Sequence, residues 1–276
     1  MSGSRLEPLL ADDEPAPVEV DRPDAPSPYF LTCDHGGHRL PRSVGDLGIT
    51  TADLHRHIGW DIGALAVARR ISERLDATLV AQIYSRLVID CNRRPGTPPS
   101  IPLVSEGTRI PGNEGLTAEE RRQREDALHR PYHNTIDRLL DARRRRGQPS
   151  VLVAMHSFTP VFEGVPRRWH ITFSTDDDRR LGDRLLADMR RTPDLLVGDN
   201  EPYTVNDIDY TIPVHGAQRG LVRILVEMRQ DLIAEEAGQE WWATRLGDAL
   251  EDALPGLVAE APAPTHVGGE ASSPAT

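Results

Sequence analysis

The sequence predicts an α/β protein, a three-layer sandwich in which a mainly parallel, mixed sheet is flanked by helices. Three observations carry this expectation. Compact apolar runs alternate along the chain with longer stretches whose apolar residues recur at helical spacing, the order that builds strand–helix–strand units. Several of the runs, such as SVLVAMH and LVRILVEMR, are apolar at successive positions and read as buried strands. A chain of 276 residues, 38% hydrophobic and 27% charged, can bury a proper core.

Residues 1–27 are rich in Pro, Asp and Glu and poor in aromatics, the composition of a mobile tail. Residues 258–276 read the same way. One folded domain is therefore expected over residues 28–257, without internal repeats. PYFLTCD reads as a buried strand. TTADLHRHIGWDIGALAVARRISERLD reads as helix broken near Gly59. From Asp61 onward, Ile62, Leu65, Ala66, Val67 and Ile71 fall close to the helical period. ATLVAQI and RLVIDC are strand-like, and RRPGTPPSIPLVSEGTRIPGNEG is a long Pro/Gly loop of the kind usually functional or mobile.

TAEERRQREDALHRPYHNTIDRLLDARRRR opens with Thr117 and Glu120 spaced as a capping box and continues as helix, which Pro131 should kink or divide. SVLVAMH and WHITFST are further strands. DDDRRLGDRLLADMRR is an amphipathic helix, residues 194–220 are loop-rich, LVRILVEMR is a buried strand and QEWWATRLGDALEDAL a terminal helix.

A formal net charge of −11 argues against nucleic acid or an anionic membrane as partner. The dense basic cluster, Arg143 to Arg146, ends a helical pattern at Gly147, where cations complement the helix dipole. Cys33 and Cys91 are too few for a disulfide scaffold. No apolar run approaches the ~18 residues of a membrane span, and the acidic, Pro-rich start lacks the basic and apolar parts of a signal peptide. A cytoplasmic protein is expected.

In parallel sheets ligands bind outside the carboxyl ends of the strands. Four runs end there in chemistry: Asp34-His35, Asp90 followed by Cys91-Asn92-Arg93, His156-Ser157, and Glu227. These pieces suit a hydrolytic metal site, because catalytic zinc takes three protein ligands from His, Asp or Glu plus a water. His35 and His156 supply two ligands. Asp61 is preferred as the third, with His38 as its competitor. Glu227 suits a general base, and Arg86 and Arg93 suit a bidentate clamp on a substrate carboxylate. Each also has a plainer role available. His156 suits a core histidine, Asp61 a helix N-cap, and Glu227 a structural partner of Arg86 or Arg229. Tyr203, in the late loop region, is placed to close over a substrate. Ser157 lacks the Gly-x-Ser-x-Gly elbow of serine hydrolases.

Over residues 29–254 the chain resembles the N-formylglutamate amidohydrolase family. The matching pieces stand as DHGGHRLP, HIGWDIGA, SRLVIDCNR, RPYH, HSFTP, DNEPY, DYTIPVHG and VEMRQDL, in that order. The resemblance implies a zinc carboxypeptidase-like fold with one Zn2+ per chain. By position it implies His35, Asp61 and His156 as metal ligands, Glu227 as general base, and Asn92 and Arg93 near the substrate carboxylate. His38 stands where the carboxypeptidase group keeps an acidic ligand, so the acid must come from elsewhere. The expected activity is hydrolysis of an N-acyl amino acid, with N-formyl-L-glutamate giving formate and glutamate. A zinc peptidase or amidase on a larger substrate, or a metal-free carboxylate-binding protein, are the alternatives. The expected partner is a small N-acyl amino acid rather than nucleic acid or membrane, with room for a homo-oligomer.

Overall fold

The structure is a computed structural model and describes residues 7–202, 204–205 and 209–259. Its strands are β1 (Val18–Asp21), β2 (Tyr29–Cys33), β3 (Thr78–Gln82), β4 (Val104–Ser105), β5 (Thr108–Arg109), β6 (Val151–Phe158), β7 (Val161–Phe162), β8 (Val165–Pro166), β9 (Ile171–Ser174), β10 (Val197–Asp199) and β11 (Val222–Arg229). Its α-helices are α1 (Thr51–Leu54), α2 (Ala64–Leu75), α3 (Ala118–Arg124), α4 (Arg130–Arg145), α5 (Arg180–Met189) and α6 (Glu236–Ala259). Seven strands form one mixed sheet in the order β1-β3-β2-β6-β11-β9-β10, while β4-β5 and β7-β8 are separate small hairpins. The central strands β3, β2, β6 and β11 run parallel; β1 and β9 pair antiparallel to their inner neighbours.

Side chains alternate across the sheet and so divide between two cores. Leu31, Leu79, Val153 and Ile224 face α2, α5 and α6, against Val67, Ile71, Leu185 and Leu246. Phe30, Val80, Leu152 and Leu225 face α4, against Tyr132, Ile136 and Leu140. This is the expected three-layer sandwich. A third apolar group, including Leu47, Ile58, Leu87, Val88 and Ile110, packs the loops above the sheet edge. No helix among the described residues is long and apolar enough to cross a membrane.

Three local expectations are corrected. The tail expected over residues 1–27 contains the edge strand β1, with Leu9 and Ala25 buried. The segment is also tied down by Arg143. That side chain, expected only to complement the helix dipole, is buried and donates to the carbonyl of Ala25 (3.3 Å) and to that of Ser27. RLVIDC is not a strand; it folds as turns held by Val88 N–H on the Ser85 carbonyl and Asp90 N–H on the Ser100 carbonyl. The break expected near Gly59 is present, residues 51–76 forming one turn, α1, then a loop and α2.

The capping box forms: Thr117 N–H donates to Glu120 Oε2 (2.7 Å), and Glu120 N–H to Thr117 Oγ1 (3.2 Å). Pro131 does not divide the following helix. A π-helical turn, Glu125–His129, leads into α4, with Pro131 in its first turn. The wider turn suits a residue that has no N–H to donate and whose ring crowds the preceding turn.

Candidate active site

β2 and β6 are parallel neighbours with Thr32 opposite Ala154, so two residues further along Asp34 meets His156. Across the other edge of β6, Glu227 on β11 is the register partner of His156. Asp34, His156 and Glu227 therefore form a row over the carboxyl ends of three strands, with His35 beside it. His35 is turned inward by the chain that follows. Gly37 lies so close to β3 that a Cβ there would sit 2.2 Å from the Ile83 carbonyl oxygen, an approach only glycine permits.

Asp61 arrives from the loop before α2. Its N–H donates to the His35 carbonyl (2.9 Å), which pins it beside the histidine. The helix N-cap is Gly63, not Asp61, at a left-handed φ of 78°. The Asp61 carboxylate is thus available to the site. Its Oδ2 lies 3.2 Å from Nδ1 of His35 and 2.8 Å from Nδ1 of His156, and the two rings stand edge to face, 5.2 Å between centroids. All three side chains are buried. His35, Asp61 and His156 are thereby brought together as a set able to hold a metal. His38 is elsewhere, packed against His55 (4.6 Å) and Trp60 (4.8 Å).

The far nitrogen of each imidazole faces another carboxylate. Nε2 of His35 is 2.7 Å from Asp90 Oδ1. Nε2 of His156 is 3.0 Å from Asp34 Oδ2, although off the angle of a regular hydrogen bond. Metal-ligating histidines are commonly oriented in this way, the carboxylate fixing the tautomer and raising ligand basicity. Charge gives the same result. Asp34, Asp61 and Asp90 contribute three negative charges and Arg86 one positive, leaving minus two with neutral imidazoles. A divalent cation balances that charge, so the donor set fits the expected ion.

The same carboxylates act on the histidines. Burial alone would lower His156, but Asp34 and Asp61 hold it well above the ordinary range. Burial and Arg86 lower His35, and Asp90 and Asp61 outweigh them. Burial would raise the carboxyls. His156, His35 and the Thr211 hydroxyl bring Asp34 down to about 2, and Arg86 and His35 hold Asp90 well below the usual range.

Arg86 donates from Nε (3.1 Å) and Nη2 (2.7 Å) to Asp90 Oδ2, and from Nη1 to Asp61 Oδ1 (3.3 Å). It lines a cleft of about 430 Å3 together with Arg93. Asn92 is buried and turned to a neighbouring segment: Oδ1 accepts from Tyr210 N–H (2.8 Å) and Thr211 N–H (3.0 Å), and Nδ2 donates to Asp209 Oδ1 (2.6 Å). Glu227 is half-buried, and burial pushes its carboxyl up. Neither arginine considered as its structural partner takes it, since Arg229 binds Asp231 (2.8 Å) and Arg86 binds Asp90 and Asp61. Tyr203 lies outside the described residues.

Sequence reasoning noticed Asp34 and Asp90 as strand-end acids without giving them the role of backing the histidines. It also missed Asp209, which burial and Asp34 push up to about 7. His129 and His133 stand on consecutive helical turns. Their Nε2 atoms lie 3.1 Å from the Arg93 carbonyl and 2.8 Å from the Cys91 carbonyl, clamping the backbone on either side of Asn92. The spacing of the pair in HRPYH was visible; its target was not.

Fold and site together define an α/β protein with a buried His–Asp–His centre at the carboxyl edge of a mixed sheet. A model of the N-formylglutamate amidohydrolase family matches residues 27–234, and the chain belongs to that family. It is 33% identical over 140 residues to an N-formylglutamate deformylase of Pseudomonas putida, a match covering 47% of this chain and about half (51%) of that curated relative. Among solved structures it is similar to the gene product Atu2144 of Agrobacterium tumefaciens, with TM-score 0.87, 38% identity, and 91% of this chain and 99% of that one covered. An N-formylglutamate amidohydrolase of Ralstonia eutropha shares the fold, with TM-score 0.63, 20% identity, and 86% and 97% covered.

Proposed function

We propose that this chain is a zinc-dependent amidohydrolase of N-acyl amino acids, the class to which the N-formyl-L-glutamate of its family description belongs. One observation carries the reading: two buried imidazoles turn Nδ1 to a single Asp61 oxygen while carboxylates stand behind both rings. His35, Asp61 and His156 would hold the ion. When bound, zinc supplies Lewis-acid polarisation of the acyl oxygen and eases deprotonation of water.

The chain's own groups do the rest. Asp90 and Asp34 hold the imidazoles in place. Arg93, on the wall of the cleft, takes the substrate carboxylate. Asn92 shapes that wall through its bonds to residues 209–211. Glu227 accepts a proton from the attacking water and returns it to the amine as the amide bond breaks. The products are formate and the free amino acid. The three buried carboxylates disfavour a metal-free carboxylate-binding protein, which would have no use for so much negative charge.

The test is elemental analysis of the purified protein paired with formate release from N-formyl amino acids. About one zinc per chain, with activity lost to a chelator and restored by Zn2+, supports the reading. Activity unaffected by complete metal removal would sink it.

A further inference from the structure

The cleft beside the site differs in character from the site itself. It runs from Arg86, Asp90 and Arg93 between the loop of residues 94–115 and the β7–β8 hairpin, and Ile58, Leu87, Pro102, Leu103, Val104 and Phe162 form much of its apolar wall. Its volume of about 430 Å3 falls within the ~300–1,000 Å3 of pockets that enclose drug-sized ligands. Four of the six large apolar side chains that stand exposed among the described residues, Leu103, Val104, Val161 and Val165, belong to these two segments. Scattered singly they would need no explanation, but concentrated beside a site they mark a binding surface. The segments also touch, Glu163 N–H donating to Glu106 Oε1 (3.3 Å).

The charges along the cleft are unevenly placed. Arg86 is bonded to Asp90 and Asp61 at the inner end. At the outer end Glu106 binds Arg56 and lies 3.2 Å from Nε2 of His57. Arg167, just after the hairpin, lies over the Phe162 ring at 4.6 Å. A substrate with one carboxylate near Arg93 would lay its remaining atoms against apolar wall. A second carboxylate there would be stripped of water against Leu103 and Phe162, with Glu106 beyond it.

We propose that this cleft binds an apolar side chain of the substrate, so that the chain prefers short N-acyl derivatives of apolar amino acids over N-formylglutamate. The inference rests on the amidohydrolase reading for the site but concerns only the cleft. Occupancy by an apolar side chain excludes water from the wall and brings the acyl group, at the other end of the ligand, toward Asp61 and His156.

The experiment uses the full chain loaded with zinc, comparing kcat/KM for N-formyl-L-leucine and N-formyl-L-glutamate. A preference for leucine of roughly 10-fold or more is expected from burial of a few methylene groups. The exposed substitutions V104K and L103K, which the fold should tolerate, should shrink that ratio by about the same factor. Calorimetric binding of N-acetyl-L-leucine and N-acetyl-L-glutamate to metal-free protein provides a second readout. Leucine-selective binding without hydrolysis of any formyl substrate would uphold the cleft and overturn the proposed function. Efficient hydrolysis with glutamate preferred, or a ratio unmoved by both lysine variants, would overturn the cleft and leave the function standing. Equal binding of both acetyl ligands, with no hydrolysis, would overturn both.

Discussion

Oδ1 of Asp90 lies 2.7 Å from Nε2 of His35, on the side of the ring away from Asp61. Asp90 also takes two donors from Arg86 on its other oxygen, so the imidazole, the carboxylate and the guanidinium form a fixed chain. Replacing a carboxylate behind a metal-ligating histidine typically costs about 10- to 100-fold in metal affinity. Asp90→Asn should weaken zinc binding by that factor, read by competition with a chromogenic chelator. Activity should recover at excess zinc. Unchanged affinity would show that Asp90 serves only Arg86 and the Asn92 N–H.

Asp61→Asn and His38→Ala separate the two sequence candidates for third ligand. Asp61 touches both histidines, whereas His38 packs on His55 and Trp60. Asp61→Asn should lose most of its zinc, and His38→Ala should keep a full complement. Elemental analysis of the two variants, purified in parallel, decides; the reverse pattern would move the site.

Glu227 makes opposite predictions for stability and turnover. Burial, opposed by His156 and reinforced by Asp61, raises its carboxyl above the ordinary glutamate range. An acid with a raised folded-state pKa binds its proton more tightly when folded. Its ionisation therefore costs stability as pH climbs past the ordinary value, and the cost is complete above the folded value. Glu227→Gln removes that cost, so its melting temperature at pH 8 should equal or exceed wild type. Turnover should fall roughly 100-fold or more, with KM little changed, if the group transfers protons. In the wild type, kcat/KM should decline on acidification at a pH above the ordinary glutamate range. A destabilised variant with normal turnover would reduce Glu227 to a structural role.

His133 is a stability prediction with a defined hydrogen-bond logic. The Cys91 carbonyl can only accept, so Nε2 of His133 carries the hydrogen, 2.8 Å away. Burial, with His129 and His215, pushes His133 down to about 3 and keeps it neutral. Its Nδ1 must then accept from Nε2 of His215 at 2.7 Å. His133→Phe fills the space but orphans both partners, at about 1–3 kcal/mol for each buried group. The melting temperature should drop by roughly 5–15 °C. A smaller effect, by calorimetry, would mean that water replaces the lost imidazole.

Much of the fold was legible because its signals are local. LVRILVEMR and SVLVAMH became β11 and β6, and the Thr117 capping box formed as read. RLVIDC was misread because an apolar run does not say whether it packs on a sheet or, like Leu87, Val88 and Ile89, beneath a loop. The stretch before Tyr29 was misread because its composition is that of a tail. Its order comes from pairing with β3 and from Arg143, a residue more than a hundred positions away.

The sequence by itself determined the alternation of strands and helices and the residue types at the strand ends, including His35, His156 and Glu227, and Asp61 ahead of α2. Only the tertiary structure decided which of them meet. The parallel register of β2, β6 and β11 puts Asp34, His156 and Glu227 in one row, and a single backbone bond from Asp61 to His35 brings in the third donor. It likewise turned Asn92 toward residues 209–211 and gave Asp34 and Asp90 the places behind the histidines. The physical reason is that strand and helix periodicities act over a few neighbouring residues. The balance of three buried carboxylates, two imidazoles and one guanidinium is struck between side chains distant in sequence, which exert no force on one another until the sheet has formed.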